Sequence, residues 1–168
     1  MKKTVLYIFL LLILSSCASK KAMVTDKQFA RELSRSLNMD LSTKDNLLLY
    51  AIVNEWIGVP YRMGGQSKRG TDCSHLTRNI VRRVYGKLLS RSSEEMYQSD
   101  VRKLRRGQLK EGDLVFFATG SNRRRVNHVG VYLKKGYFVH ASTTRGVMIS
   151  HLQEPYFLRV WVNGGRVK

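Results

Sequence analysis

The hydrophobic rhythm of this chain changes near residue 110. Before that point apolar residues recur every three or four positions. After it they come in short β-branched or aromatic runs separated by turn residues. "DKQFARELSRSL" (26–37) spaces Phe29, Leu33 and Leu37 four apart and predicts an amphipathic helix. "NLLLYAIVNEWI" (46–57) predicts a second, with Ser42 and Asp45 as a capping box and Gly58 and Pro60 as its stop. A glycine-rich loop follows, "YRMGGQSKRG" (61–70), without the GK[ST] ending of a phosphate-binding loop. Thr71 or Asp72 then caps a third helix that runs to Tyr85 and stops at Gly86. Leu76, Ile80, Val81 and Val84 form its apolar stripe, and Cys73 shares that inward face. Ser92 and Glu95 form another capping box before a short helix at "SSEEMYQ". The later runs, "DLVFFAT", "VNHVGVYL", "YFVHAST", "GVMIS" and "LRVWV", predict strands. Helices first and strands second argue for an α+β domain in which the third helix covers one face of an antiparallel sheet.

The first residues stand apart. "MKKT" is basic, and "VLYIFLLLIL" is an apolar run of ten, which suits an export signal. Spanning a bilayer takes about 20 such residues. "LSSC", Leu14 to Cys17, resembles the bacterial lipobox, in which cleavage leaves the cysteine as a lipidated N-terminus; an ordinary signal with an incidental cysteine is the alternative. Removing residues 1–16 of 168 leaves 152, enough for one domain with a core, and losing Lys2 and Lys3 lowers the formal charge from +18 to +16. Export changes what that charge means. In the cytoplasm it would suggest nucleic acid. Outside, the anions on offer are lipid head groups, anionic glycolipid and wall-peptide carboxylates. Two clusters could meet them, "RKLRR" (102–106) and "NRRRV" (122–126). Ala18 and Ser19 after the cysteine, with no aspartate, resemble the lipoproteins kept on the periplasmic face of the outer membrane.

With Cys17 acylated, Cys73 has no disulfide partner, and an unpaired thiol in an oxidising compartment is a candidate reagent. The strand half carries His128 and His140, joined through "LKKG". A three-residue hairpin loop of Lys134, Lys135 and Gly136 pairs Leu133 with Tyr137, sets Gly130 opposite His140 and makes His128 its diagonal neighbour. Diagonal residues on one face lie roughly 7–8 Å apart, within reach of two imidazoles. A thiol at a helix N-terminus, with its pKa lowered by the dipole and a neighbouring imidazole, facing two histidines, is what nucleophilic catalysis needs. The same residues also fit a small buried cysteine and two satisfied polar histidines, or a zinc site, although no CxxC or HxxxH pair is present.

"YRMGGQSKRGTDCSHL", "LKEGDLVFFATG", "NHVGVYL" and "GYFVHASTTRGVMIS", in that order and across about residues 45–163, resemble the NlpC family of cell-wall peptidases. The lipobox adds likeness to its small lipoprotein murein endopeptidases. The resemblance implies a papain-like α+β fold, N-terminal helices packed on an antiparallel β-sheet, and hydrolysis of peptide bonds in peptidoglycan stems or cross-links. It makes Cys73 the nucleophile, His128 the base and His140 the third member, with Tyr61 at the oxyanion or substrate and Asp72 and Ser74 on a substrate amine. No metal or organic cofactor, no nucleic-acid partner and a monomer are expected. The resulting organisation is a signal peptide over 1–16, lipidated Cys17 and a tether over 17–25, a helical segment over 26–44 and the peptidase domain over 45–168. Two rivals share the fold, an inactive wall-binding lipoprotein and an acyltransferase. The chain departs from the family pattern at His75, which replaces the glycine of DCSG and should point away from the thiol, and at Ser90, which replaces the proline of LPRSS and should loosen the groove wall. His151 lies past the motifs and reads as a surface residue.

Overall fold

The computed structural model describes residues 25–168, which divide into two compact units after Tyr50. The signal, the lipobox and Cys17 lie outside the described residues. In the first unit, helix α1 (25–37) buries Ala30, Leu33 and Leu37, while Phe29 stays exposed, so the stripe runs one residue over from the expected one. Ser34 Oγ donates to the carbonyl of Ala30 (2.8 Å) and accepts the N–H of Leu41 (3.0 Å), tying the helix to the turn after it. The next helix, α2 (Leu47–Trp56), is not capped by Ser42. Ser42 and Asp45 close a turn on each other, and Asn46 Oδ1 takes the N–H of Leu49 as the cap.

The second unit begins within α2 and holds the sheet. After Gly58, whose φ of +79° ends the helix, a short hairpin forms from β1 (Gln66–Ser67) and β2 (Gly70–Thr71). The third helix, α3 (Cys73–Tyr85), has Asp72 as N-cap and left-handed Gly86 as C-cap, as its sequence dictates. It buries Cys73, Leu76, Thr77, Ile80 and Val81; Val84 is only half-buried. A capping box on Ser92 and Glu95 starts α4 (Ser93–Glu95), which continues as a π-turn over Met96–Asp100.

Six strands make the sheet: β3 (Val101–Leu104), β4 (Leu114–Phe117), β5 (His128–Tyr132), β6 (Tyr137–Ser142), β7 (Gly146–His151) and β8 (Trp161–Val167). Their order is β3-β8-β4-β5-β6-β7, with every neighbouring pair antiparallel. Four of the five expected strands stand where the pattern put them. "LRVWV" does not: Pro155–Val160 is helix α5, with proline in the first turn where its missing N–H costs nothing, and the strand starts only at Trp161. The sheet is packed by α3 across β5 and β6, and by an apolar cluster of Val115, Phe117, Phe138, Leu152, Phe157 and Val160 that includes α5. Fully burying a phenylalanine such as Phe117 or Phe138 stabilises by about 1.5–3 kcal/mol.

The β5–β6 turn has the length its sequence predicts. Leu133 N–H donates to Tyr137 (2.9 Å), Tyr137 N–H donates to Lys134 (2.9 Å), and Val131 pairs with Val139. Both Lys135 (φ +51°) and Gly136 (φ +87°) are left-handed, where glycine alone was expected. His151 pins this turn: its Nε2 donates to the Lys135 carbonyl at 2.8 Å and its ring packs edge-on against Tyr137. It is a half-buried structural residue, not a free surface one.

Candidate active site

The hairpin register delivers the two histidines to one place. His128 Nε2 lies 2.9 Å from His140 Nδ1, with the rings perpendicular. Gly130 explains how they fit. A Cβ there would come within 2.7 Å of the Val139 carbonyl, 2.8 Å of the Phe138 ring and 3.3 Å of His140 Cβ. Phe117, Phe138 and Phe157 pack around the pair, and His140 is fully buried among them.

A fourth residue continues the line. Ser150 Oγ lies 3.1 Å from His140 Nε2 and is itself buried. Sequence reasoning missed it. The available signal was a serine on the core side of "GVMIS", opposite Phe138 in the register and therefore diagonal to His140.

Cys73, in the first turn of α3, meets the backbone of the strand that carries His128. Its sulfur sits against the peptide N–H that joins His128 to Val129, with the N–H groups of Ser74 and Cys73 also directed at it. Asp72 holds this turn in place with one carboxylate. Oδ1 accepts the Ser74 hydroxyl (2.8 Å) and the His75 N–H (2.7 Å), and Oδ2 accepts the N–H of Gly64 (3.0 Å). The glycine loop is thereby fastened to the nucleophile's helix. Tyr61 lies beside Thr71 on the same loop.

Electrostatics correct one expectation. Burial pushes the Cys73 thiol up to about 11, outweighing the N–H donors that favour the thiolate. Burial also pushes His128 down to about 4, and burial followed by the charges of His128 and Arg145 pushes His140 down to about 3. The resting pair is a neutral thiol and a neutral imidazole, not the thiolate that the helix N-terminus suggested. Tyr61 is held above its ordinary pKa by burial first and then by Cys73 and Asp72, so its phenol stays a donor.

The departures from the family pattern have structural answers. His75 turns to Trp56, ring centroids 6.0 Å apart, and Asn79 one turn later accepts the Trp56 indole N–H at 3.2 Å. Ser90 does not loosen the wall: its N–H and hydroxyl both donate to Asp100, at 2.6 and 2.9 Å. Of the basic clusters, Lys103 lies over Tyr97 and Arg106 over Trp161, while Arg123 donates to the Ala118 carbonyl. Arg124 and Arg125 are exposed just upstream of His128. Among the described residues no group of His, Cys, Asp and Glu is arranged to hold a metal ion, and no helix is long and apolar enough to cross a membrane.

Residues 58–166 match the model of the NlpC/P60 family. The chain is 42% identical over 113 residues to the murein DD-endopeptidase MepS/murein LD-carboxypeptidase of Escherichia coli K12, covering 67% of this chain and 58% of that protein. It is 33% identical over 156 residues to the probable endopeptidase NlpC of Escherichia coli K12, covering 93% of this chain and 94% of that one. It thus spans under two thirds of the first relative and nearly all of the second. Among solved structures it resembles an NlpC/P60 family protein from Bacillus cereus, with TM-score 0.66 and 28% identity over 73% of this chain and 40% of the other.

Proposed function

The chain belongs to the NlpC/P60 family, and on that premise we propose that it is a cysteine endopeptidase that hydrolyses peptide bonds of peptidoglycan stems or cross-links in the bacterial cell envelope. Its α+β fold is that of the family's solved structures. The observation that carries the reading is that the Cys73 sulfur sits against the His128–Val129 peptide N–H while His128, His140 and Ser150 form one hydrogen-bonded line.

In this mechanism His128 takes the thiol proton as the sulfur attacks the carbonyl. Because burial keeps both groups neutral at rest, the transfer accompanies attack and does not precede it. Only one assignment of the ring protons allows this. His128 Nε2–H donates to His140 Nδ1, His140 Nε2–H donates to Ser150, and His128 Nδ1 is left free as the base. The Cys73 N–H and the Tyr61 hydroxyl receive the oxyanion. His128 then returns the proton to the leaving amine, and water hydrolyses the acyl-enzyme. Asp72 and Ser74 meet an amine on the acyl side of the substrate, as the family resemblance implies.

Residues 45–168 form the catalytic domain on this reading. The segment before it exports the protein and tethers it through acylated Cys17 to the periplasmic face of the outer membrane. Digestion of purified peptidoglycan, with fragments identified by mass spectrometry, tests the function. Cys73→Ala should abolish cleavage without loss of fold, and cleavage near the wild-type rate in that variant would refute it. For the anchor, Cys17→Ser should lose a metabolic acyl label that the wild type carries.

A further inference from the structure

The histidine relay forms one wall of a cleft of about 360 Å³, whose other walls include the β6–β7 turn, residues 142–145, and Glu154. A group that protonates a leaving nitrogen must stand within hydrogen-bond reach of it. The residue bearing that nitrogen therefore enters on the histidine side, and the acyl residue lies toward the glycine loop and Tyr61.

The turn presents donors to this cleft. Ser142 Oγ accepts the N–H of Arg145 at 3.3 Å and of Thr144 at 3.4 Å, and lies 3.3 Å from the Thr144 hydroxyl. Gly146, at φ +71°, reverses the chain directly after Arg145. Arg145 is exposed, and no ion pair to a carboxylate is found for it among the described residues. Glu154, the acidic side chain in the cleft, uses Oε1 to accept the His151 N–H at 2.6 Å. A guanidinium in a cleft that Ser142 and Thr144 also line suits a planar anion, which arginine can hold with two parallel hydrogen bonds.

We propose that Arg145, with the hydroxyls of Ser142 and Thr144, is a carboxylate subsite for the leaving-side residue, so that the enzyme favours peptide bonds whose leaving residue carries a free α-carboxylate. The inference rests on the peptidase reading and narrows it. In a D-alanine cross-link to a diamino diacid, which has a carboxyl on each amine-bearing carbon, the carbon bearing the scissile nitrogen also bears a free carboxylate. In the D-glutamate to diamino acid bond of a longer stem, the corresponding carboxyl is consumed in the next amide. Glu154 repels a second anion, so the cleft admits one carboxylate at its Arg145 end. That carboxylate also neutralises a charge that opposes protonation of the histidine pair.

Two soluble cross-linked stem-peptide dimers test this, identical except that the leaving residue has an α-carboxylate in one and an α-carboxamide in the other. The full-length wild type should show kcat/KM about tenfold or more higher for the carboxylate dimer, the size expected for hydrogen bonds to a charged group. In Arg145→Gln, checked for folding by thermal melting, that ratio should collapse toward one, mainly through a raised KM for the carboxylate dimer. Arg145→Lys should keep part of it, since the charge stays and the fork is lost. A wild-type ratio near one, or a ratio unchanged in Arg145→Gln, overturns the subsite and leaves the peptidase standing. Cleavage of neither dimer by the wild type overturns the peptidase reading and the subsite with it.

Discussion

His128 Nε2 sits 2.9 Å from His140 Nδ1, so the two rings share one hydrogen bond and can differ only in which of them donates it. If His128 moves the proton and His140 orients it, the two positions respond differently to substitution. His128→Ala should lower kcat about a hundred- to ten-thousand-fold, nearly as damaging as the loss of cleavage expected of Cys73→Ala. His140→Gln should retain measurable cleavage, because an amide oxygen can accept the imidazole N–H, and His140→Ala should retain less. Steady-state rates on a soluble stem peptide decide it. A dead His140→Gln beside an active His128→Gln would reverse the roles.

Ser150 gives His140 a polar partner on the far side, and it lies in the core. Ser150→Ala should therefore lower kcat about tenfold with little change in KM, since outer hydrogen-bond partners of this kind typically contribute ten- to a hundredfold. It should also destabilise the fold by roughly 1–3 kcal/mol, the cost of a buried donor left unmatched. A rise in KM at constant kcat would mean that Ser150 serves the substrate and not the relay.

The site also writes itself into the pH dependence of stability. In the unfolded chain the two imidazoles protonate near their ordinary value of 6.5, but in the folded protein only near about 4 and about 3. Below pH 6.5 the unfolded state binds more protons, so stability is lost as the pH falls through those folded values. On the other side, the unfolded thiol ionises near 9.0 and the folded one near about 11, so stability is lost as the pH rises between them. Melting temperature should be flat from about 6.5 to 9 on this account and fall on both flanks, with a shallower acid flank in His128→Ala. An unchanged melting temperature down to pH 4 would contradict the burial of these rings.

Ser90 and Asp100 offer a test far from the chemistry. Ser90→Pro restores the family's usual residue but removes both donors that Asp100 accepts. A net destabilisation of about 1–3 kcal/mol is expected, because hydrogen bonds to a charged group outweigh the entropy gained from proline. Denaturant unfolding of Ser90→Pro, Asp100→Ala and the double variant should give a double effect smaller than the sum of the singles.

What could be read from the sequence was local. The caps of α3, the turn residues 134–136 and the resulting histidine pairing all depend on neighbours within a few positions, and all stand as predicted. What could not be read depends on distant packing. β8 lies between β3 and β4 although "VNGG" looks like a turn. A Cβ at Gly165 would strike Val101 of β3 at 2.5 Å, so a strand neighbour, not a bend, demands that glycine, while one at Gly164 would meet the end of the Leu109 side chain at 2.6 Å. The thiol pKa failed for a similar reason: a helix N-terminus is visible in sequence, but the depth at which it is buried is not.

Gly130 carries a consequence for inheritance. Any coding change that replaces glycine adds at least a Cβ, and at this position even that atom meets the Val139 carbonyl, the Phe138 ring and the base of His140. Among single-base changes of the codon only the synonymous ones are free of this: each missense change there adds an atom against the strand that carries His140, whatever side chain it encodes. At His75, Ser90 or the arginines of 123–125 no contact with the histidine pair is at stake, whereas at residue 130 every side chain presses on the strand pairing that holds it.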